Sequence, residues 1–487
     1  MKCLILAAGY ATRLYPLTEN FPKPLLKVGE KSILDWLVDD LVDTTNIDEF
    51  VVVSNHKFAQ NFEDWKSNKQ KTRPYEITVI DDGTSTNETR LGAVKDIQLA
   101  VEKLKLADDL LVMAGDNVLD FSLSKFVDYD DVINLTLGDP DIIPPECIRQ
   151  AGCDAIMEGK TRYSANAGLV ELRKTYSKYL NYTYGRKFDY QTQIAVTVGG
   201  MEALYLALLS SIDPGDEVII FAPYYINYYQ MIEMCGGIPV IVRTWEENDF
   251  SPKIEDIEKA VTDKTKVIII NTPTNPTGTV YSEKTVTEIV EFARKRNILL
   301  VSDEVYSTLV YNESKHFSAL SVKPVYENIL YVDSCSKKFS MTGWRVGFAV
   351  GPKDWIAAII KLQENVAACT PLPSQYAAIR AFNENPDMTD YVDEFRKRRN
   401  VLVKELQKSN RVSFMIPKGT FYMFVNIGEM KIGSTEFAMQ LLREKHVAVV
   451  PGIAYGDDFD DYIRIAFTMK ETVIKEAARR IVEFVEK

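Results

Sequence analysis

Apolar runs of strand length alternate with amphipathic segments along the first part of the chain. Residues 2–8, 50–53, 77–80 and 110–113 are short runs of mostly apolar side chains, as expected of buried strands. Residues 32–42 instead place apolar side chains three and four positions apart, the spacing of a helix with one buried face. Strands that alternate with helices in this way predict a doubly wound sheet, in which ligands bind at the carboxyl ends of the strands.

A second pattern of the same kind begins near Val132. Helical periodicity marks residues 202–211 and 285–295, and strands are predicted for the apolar runs at 194–198, 217–221, 267–270, 298–301, 329–332 and 346–350. The last part of the chain differs, because a long charged helix is predicted at 390–407, followed by shorter strands and a closing helix from Glu471. We therefore predict a second α/β unit that carries a smaller domain beside its large sheet.

The composition of the chain limits the kinds of ligand and partner that it is expected to bind. The 487 residues are 46% hydrophobic and 26% charged, which is typical of folded globular domains. The net charge of -12 argues against a protein that coats nucleic acid. Three histidines and six cysteines without a CxxC pair indicate neither a histidine-rich metal site nor a disulfide framework. No stretch approaches the roughly 20 apolar residues of a membrane helix, so we expect a cytoplasmic protein that binds neither nucleic acid nor membrane.

The most informative chemical pattern is Ser334-Cys335-Ser336-Lys337, followed by Arg345. A lysine amine can form a Schiff base with an aldehyde, and two hydroxyls with an arginine can hold a phosphate dianion beside it. Such a run on its own would usually be a solvated turn. Here the motifs NPTG (275–278) and SDEVY (302–306) precede it, and together they point to an aldehyde cofactor with a phosphate group.

With these motifs in this order, the chain from Val132 onward resembles fold-type I pyridoxal-phosphate (PLP) aminotransferases of class I, the aspartate type. The resemblance implies a large α/β domain at about 165–385 and a smaller α+β domain formed by 131–164 and 386–487. It implies a homodimer that moves an amino group between an amino acid, aspartate-like or of broader range, and a 2-oxo acid such as 2-oxoglutarate.

The resemblance also assigns the contacts of the cofactor. Lys337 would be the Schiff-base lysine that carries the substrate proton, and Asp303 would keep the pyridine nitrogen protonated. A plain helix N-cap is the alternative role for Asp303. Tyr225 would stack on the ring, with the neighbouring Tyr224 as the competing assignment. Further contacts are implied for the phenolic oxygen, from Asn275 and Tyr306, and for the phosphate, from Gly200, Met201, Ser334, Ser336, Arg345 and, across the dimer interface, Tyr163.

The substrate contacts follow from the same resemblance. Arg464 would hold the α-carboxylate of the amino acid through two parallel hydrogen bonds, together with Asn275 and the backbone of Gly138. Lys338, next to Lys337, is expected to be a solvated surface charge. Relatives usually carry a dimer-bracing helix before the motif LGDPD (137–141), and this chain lacks that segment.

Residues 4–14 and 21–25 resemble the start of sugar-phosphate and choline-phosphate nucleotidyltransferases. The resemblance implies that Gly9, Arg13 and Lys23 contact a nucleotide, and that Asp116 binds Mg²⁺. Relatives continue into an acceptor-binding segment, whereas this chain continues into the aminotransferase-like part, so the resemblance implies a nucleotidyltransferase-like but incomplete unit at 1–130. Three interpretations stay open: a bifunctional enzyme, a nucleotide-binding scaffold without chemistry, and a structural or dimerisation module.

Overall fold

The computed structural model describes two compact units, Met1–Asp131 and Val132–Lys487. The described residues are 2–9, 17–42, 47–69, 75–86, 89, 91–105, 110–115, 131–311 and 314–487. In this part of the chain, no helix is long and apolar enough to span a membrane.

The first unit is built on a sheet of four parallel strands, in the order β5-β4-β1-β6. These strands are β1 (Lys2–Leu6), β4 (Glu49–Ser54), β5 (Glu76–Asp81) and β6 (Leu110–Ala114). A short antiparallel pair, β2 (Lys27–Val28) with β3 (Lys31–Ser32), lies outside this sheet. All neighbouring strands of the main sheet run parallel, which confirms the parallel α/β sheet predicted for this part.

Among the described residues of this unit, three helices accompany the sheet: α1 (Ile33–Leu41), α2 (Ala59–Lys69) and α3 (Ala93–Leu104). The first helix begins where the sequence pattern predicts, because Ser32 and Asp35 form a reciprocal capping box. Its buried face consists of apolar side chains three and four positions apart, including Leu34, Val38 and Leu41. The amphipathic pattern therefore translates directly into helix packing.

The second unit contains a seven-stranded sheet in the order β10-β9-β11-β12-β13-β14-β8. Its strands are β8 (Ile194–Thr197), β9 (Glu217–Ala222), β10 (Ile238–Arg243), β11 (Thr265–Asn271), β12 (Leu299–Asp303), β13 (Ile329–Ser334) and β14 (Gly347–Val350). Neighbouring strands are parallel, except that β14 runs antiparallel to both of its neighbours. The sequence pattern missed β10, an edge strand that contains Pro239 and is only partly buried.

The smaller sheet of the second unit is antiparallel, in the order β15-β16-β19-β18. Its strands are β15 (Ser413–Phe414), β16 (Tyr422–Asn426), β18 (Val450–Pro451) and β19 (Tyr462–Ala466). A short parallel pair, β7 (Ile133–Asn134) with β17 (Val447–Ala448), ties the start of this unit to the same domain. An antiparallel sheet beside a mostly parallel one confirms the predicted fold class.

The α-helices of the second unit are α4 (Glu146–Met157), α5 (Val170–Tyr184), α6 (Gly199–Leu209), α7 (Asn227–Met234), α8 (Ile254–Ala260), α9 (Glu283–Arg296), α10 (Cys335–Lys338), α11 (Lys353–Val366), α12 (Leu372–Glu384), α13 (Thr389–Leu406), α14 (Ser434–Lys445) and α15 (Glu471–Val485). A short 3-10 helix occupies Lys23–Leu25 in the first unit. In the second unit, short 3-10 helices occupy Glu246–Asn248, Ala319–Ser321, Thr342–Trp344, Gly428–Met430, Gly452–Tyr455 and Asp457–Phe459. Helix α4 packs on α12, and its Ile148 lies in the core of the large sheet.

Both faces of the large sheet are buried. Ile219, Ile268 and Leu300 belong to the core on one face, whereas their sequence neighbours Ile220 and Val267 belong to the core on the other. Strands covered on both faces are continuous apolar runs rather than alternating ones. Their polar residues are therefore concentrated at the strand ends, where the candidate site forms.

Candidate active site

A cavity of about 210 Å³ lies at the carboxyl ends of the parallel strands β11, β12 and β13. The side chains that end these strands, Asn271, Asp303 and Ser334, all line it. The other lining residues are Gly200, Met201, Leu204, Tyr225, Asn275, Val305, Tyr306, Ser336, Lys337, Thr342 and Arg345. Most residues predicted to contact a cofactor thus lie around one space, although they come from distant parts of the sequence.

Lys337 lies on the short helix α10, directly after β13. Its Nζ donates a hydrogen bond of 2.5 Å to the carbonyl oxygen of Gly138. Burial lowers the pKa of Lys337 to about 8, Asp139 opposes this shift, and Arg345 adds to it. A larger fraction of the amine is therefore neutral near neutral pH than for an exposed lysine, and the neutral amine is the form that attacks an aldehyde.

Asp303 ends β12 and is 3% exposed. Its Oδ2 accepts a 2.5 Å hydrogen bond from the hydroxyl of Tyr228, and its Oδ1 accepts a longer bond of 3.3 Å from the N–H of Val305. Burial raises the pKa of Asp303 to about 6, while the Tyr228 hydroxyl lowers it. Because the residue lies at a strand end in the cavity wall and caps no long helix, the carboxylate is available to a ligand.

The opposite end of the cavity collects donors suited to an anion. The hydroxyls of Ser334 and Ser336 lie 2.9 Å apart, and helix α6 presents its N-terminal Gly200 nearby. Arg345 is fixed by hydrogen bonds to the carbonyls of Thr342 and Val198. A Cβ on Gly199, which has φ +77°, would lie 2.6 Å from Nη2 of Arg345. Glycine at this position therefore permits the guanidinium to approach the helix N-terminus.

Arg464 and Asn275 meet beside the cavity. Nη1 of Arg464 donates a 3.2 Å hydrogen bond to Oδ1 of Asn275, and Nη2 donates to the carbonyl of Thr136. Arg464 is 6% exposed, and its buried Nε has no hydrogen-bond partner among the residues that the structure describes. A buried guanidinium with a free N–H is suited to bind a carboxylate.

Two adjacent tyrosines compete for the stacking role, and their positions differ. Tyr225 lines the cavity and packs edge-on against Tyr228 with ring centroids 5.4 Å apart. Tyr224 instead stacks on Tyr229 at 6.0 Å and donates its N–H to the carbonyl of Tyr455. The geometry therefore favours Tyr225 as the aromatic residue that faces a ligand.

The expectation for Lys338 was wrong. Lys338 is 3% exposed, and its Nζ lies 3.3 Å from the buried carboxylate of Asp333 and 2.8 Å from the hydroxyl of Tyr179. On the short helix α10, Lys337 and Lys338 point to different sides, one toward the cavity and the other into the protein. A single sequence position cannot reveal this burial, because the partners of Lys338 come from other elements.

Sequence reasoning also missed several residues of the site. Asn271 donates to the carbonyl of Asp303 and accepts the N–H of Asn275. The Tyr422 hydroxyl lies 3.2 Å from that of Tyr306. Tyr228 donates its hydroxyl to the carboxylate of Asp303. The position of Asn271 at the end of a predicted strand was a usable signal, whereas nothing local marks Tyr422.

Other predicted residues lie outside the cavity wall. Tyr163 is 87% exposed, and Gly138 contacts the site through its carbonyl group. In the first unit, Gly9 lies just beyond the carboxyl end of β1, and Lys23 begins a 3-10 helix. Arg13 and Asp116 lie outside the described residues, so their predicted roles have no structural counterpart here.

The donor set fits pyridoxal phosphate. The hydroxyls of Ser334 and Ser336, the helix N-terminus at Gly200 and the guanidinium of Arg345 match a phosphate dianion. At the other end, the buried carboxylate of Asp303 matches a protonated ring nitrogen, and the amine of Lys337 lies in the wall of the same cavity. Within the described residues, no group of three or more metal-ligating side chains is present.

Comparison with known proteins covers both units. The family described as Nucleotidyl transferase matches residues 2–134. The chain is 36% identical to an aspartate aminotransferase of Sulfolobus acidocaldarius over 73% of this chain and 90% of the relative. It is 37% identical to an asparagine–oxo-acid transaminase of Streptococcus mutans over 73% and 92%.

The similarity extends to solved structures. An aromatic aminotransferase from Pyrococcus horikoshii aligns with TM-score 0.71 and 34% identity, covering 74% of this chain and 98% of that one. The family described as Aminotransferase class I and II matches residues 130–481. This chain therefore belongs to the class I and II aminotransferases, the transaminases of fold type I that use pyridoxal phosphate.

Proposed function

We propose that the second unit catalyses transamination with PLP held at Lys337. The observation that carries the proposal is that the Lys337 amine, the buried Asp303 carboxylate and the Ser334–Ser336–Arg345 donors line one cavity. When bound, PLP supplies an electron-withdrawing ring that stabilises negative charge on the Cα of an amino acid.

The residues of the chain divide the work of this reaction. Asp303 would hold a proton on the ring nitrogen, and Tyr225 would stack against the ring. The amine of Lys337 would accept the proton of the substrate Cα, for which a lowered pKa is favourable. Contacts to the phenolic oxygen come from Asn275 and Tyr306, and contacts to the phosphate from Gly200, Met201, Ser334, Ser336, Arg345 and the Tyr163 of a second subunit.

Substrate binding rests on Arg464. Its free Nε and its Nη groups can grip the α-carboxylate in the plane of the guanidinium, beside Asn275 and the backbone of Gly138. This grip is common to all α-amino acids. Since the names of the relatives include aspartate, asparagine and aromatic substrates, we propose an aspartate-like or broader donor range, with 2-oxoglutarate as acceptor.

The assembly and setting of the protein belong to the same proposal. We infer a cytoplasmic protein, and we infer that it is a homodimer because Tyr163 is an exposed aromatic residue available to a second copy. For the first unit we infer at most nucleotide binding, by Gly9, Arg13 and Lys23 with Mg²⁺ at Asp116. The bifunctional alternative is supported by the Nucleotidyl transferase match alone.

The test of the function is an amino-donor screen on the purified protein, followed through the visible absorption of the cofactor. A true donor converts the yellow form to the colourless amine form, and a 2-oxo acid reverses the change. Donors of aspartate, asparagine and aromatic type should be compared at equal concentration. A protein that binds PLP but is converted by none of the common amino acids would contradict the proposal.

Lys337→Ala tests the site itself. Borohydride reduction of the wild-type protein should fix the cofactor to one lysine, which mass spectrometry should locate at Lys337, and the variant should show no fixed cofactor. Lys361→Ala, at an exposed position on α11, is the matched control and should label as the wild type does. Labelling of another lysine in the wild type would show that Lys337 is misassigned.

A further inference from the structure

Tyr422 touches both ends of the proposed reaction centre. It begins β16 and is 3% exposed. Its hydroxyl lies 3.2 Å from that of Tyr306, and its ring centroid lies 4.5 Å from the guanidinium carbon of Arg464. A Cβ on Gly138 would lie 1.7 Å from the Tyr422 hydroxyl, so this side chain fills the space against the LGDPD segment.

The ring of Tyr422 stabilises the buried positive charge of Arg464. The guanidinium is buried, and among residues 131–311 and 314–487 no carboxylate forms an ion pair with it. The rings of Tyr422 and, at 5.4 Å, Tyr455 stabilise it through cation–π contacts. Unlike a carboxylate, an aromatic ring takes up none of the guanidinium N–H groups in the plane, and Nε has no hydrogen-bond partner among the described residues. The cation can therefore stay oriented without a carboxylate that would compete with substrate.

The hydroxyl of Tyr422 lies at the other end of the proposed reaction centre, beside the hydroxyl of Tyr306. Tyr306 is 6% exposed and lines the cavity, and its hydroxyl lies within hydrogen-bond distance of that of Tyr422. Each hydroxyl has a single proton, so in a buried pair the proton direction of one depends on the other. Tyr422 thus limits the directions in which Tyr306 can donate.

We propose that Tyr422 is a positioning residue for transamination, whose ring orients Arg464 toward the substrate carboxylate and whose hydroxyl orients that of Tyr306 toward the cofactor. The inference rests on the proposed function, because it assigns Tyr422 to the reaction centre built around Lys337. Its two parts are separable, since phenylalanine keeps the ring and loses only the hydroxyl.

The experiment compares Tyr422→Phe, Tyr422→Met and the control Tyr462→Phe, all loaded with PLP. Tyr462 is also a buried tyrosine of the small sheet, but its hydroxyl donates to Glu246. The first measurement is the pH midpoint of the visible absorption change without substrate. The second is the split between KM and kcat for the best donor from the screen, with thermal unfolding as the check on folding.

For Tyr422→Phe we expect a midpoint shift of at least about half a pH unit, because a hydrogen bond next to the chromophore changes, with a KM close to that of the wild type. For Tyr422→Met we expect the same shift and a KM raised at least about tenfold, because Arg464 loses its aromatic support. Tyr462→Phe should match the wild type in both measurements.

Opposite outcomes separate the claims. A Tyr422→Phe midpoint equal to that of the wild type overturns the hydroxyl role, and a Tyr422→Met variant with unchanged KM overturns the ring role. If Tyr422→Met does not fold, Tyr422→Leu replaces it, and Tyr422→Phe still tests the hydroxyl. A wild-type protein without visible cofactor absorption refutes the proposed function itself, a result distinct from either of these.

Discussion

At the scale of single residues, the reaction centre depends on groups whose ordinary acidity is changed by burial. The pKa of Asp303 is raised to about 6 and that of Lys337 is lowered to about 8, each chiefly by desolvation. Both shifts favour the neutral forms in the protein without cofactor. A protonated ring nitrogen beside Asp303 would again favour the charged form of this carboxylate. The Asp303 carboxylate is therefore suited to hold a cation.

Asp303→Asn should retain cofactor and lose most of its turnover. An amide accepts the Tyr228 hydrogen bond but cannot favour a protonated ring nitrogen by charge. We expect kcat to fall by more than tenfold, which is about 1.4 kcal/mol of barrier. Steady-state kinetics on protein with confirmed PLP content is the measurement, and a smaller loss would mean that the carboxylate only supports the local backbone.

Asp303→Asn should also remove a pH-dependent loss of stability in the protein without cofactor. Since the folded pKa of Asp303 is raised above its unfolded value, the folded state binds more protons, and stability is lost as the pH rises from about 4 to about 6. This loss, on the order of 1–3 kcal/mol, should be absent in Asp303→Asn. Urea unfolding of the wild type and of Asp303→Asn at both ends of this pH range measures the loss. An equal change of stability with pH in the two proteins would contradict the raised pKa of Asp303.

Arg464→Lys should weaken the binding of every amino-acid donor to a similar extent. The α-carboxylate is common to all donors, and an ammonium group cannot reproduce two parallel in-plane hydrogen bonds. We expect kcat/KM to fall by roughly ten- to a hundredfold for acidic, amide and aromatic donors alike. A defect confined to acidic donors would instead assign Arg464 to the side-chain carboxylate.

At the scale of elements, strand β13 and helix α10 form one polar unit behind the cavity. Asp333 on β13 is fully buried, accepts the hydroxyl of Tyr176 at 2.7 Å and lies 3.3 Å from Nζ of Lys338 on α10. Its other oxygen accepts the N–H of Ser334. The buried pair therefore anchors the backbone that carries both the serine hydroxyls and Lys337.

Lys338→Met should destabilise the second unit by about 3–5 kcal/mol, because it leaves a buried carboxylate without its cation. The double variant Asp333→Asn/Lys338→Met should be clearly more stable than the sum of the two single changes predicts. Urea unfolding of the four proteins of this cycle gives the coupling. Additive effects would show that the two side chains do not depend on each other.

The elements themselves were predictable to different degrees. Central strands such as Thr265–Asn271 and Leu299–Asp303 are covered on both faces, so their apolar runs are unmistakable. The edge strand Ile238–Arg243 has partly exposed residues throughout most of its length and lacks this signal. The helix Ile33–Leu41 was predicted because its apolar periodicity is a local feature.

At the scale of the whole molecule, two family matches meet near residue 130. The first unit has the parallel sheet expected of a nucleotide-binding fold, with Gly9 just beyond the end of its central strand. The aminotransferase match, over residues 130–481, begins where the nucleotidyltransferase match, over residues 2–134, ends. In this chain, binding of a nucleotide by the first unit would therefore not by itself imply transfer to an acceptor.

We expect no pyrophosphate release when Mg²⁺ and any of the common nucleoside triphosphates are supplied with phosphorylated sugars or choline phosphate. Holding a triphosphate is not sufficient, because in-line attack also requires a positioned acceptor. A coupled pyrophosphate assay on the 487-residue chain makes the measurement, with Lys23→Ala as comparison. Release that this substitution abolishes would make the protein bifunctional.

The sequence by itself determined the fold class, the family and the order of the chemical groups along the chain. These features are local: a lysine after two serines, an aspartate at the end of an apolar strand, and apolar runs of strand length. Only the tertiary structure decided which groups face the cavity. It separated Tyr225 from Tyr224, buried Lys338, and brought Tyr228 to Asp303 across 75 residues. Burial and long-range contact depend on how distant elements pack, and no local pattern encodes them.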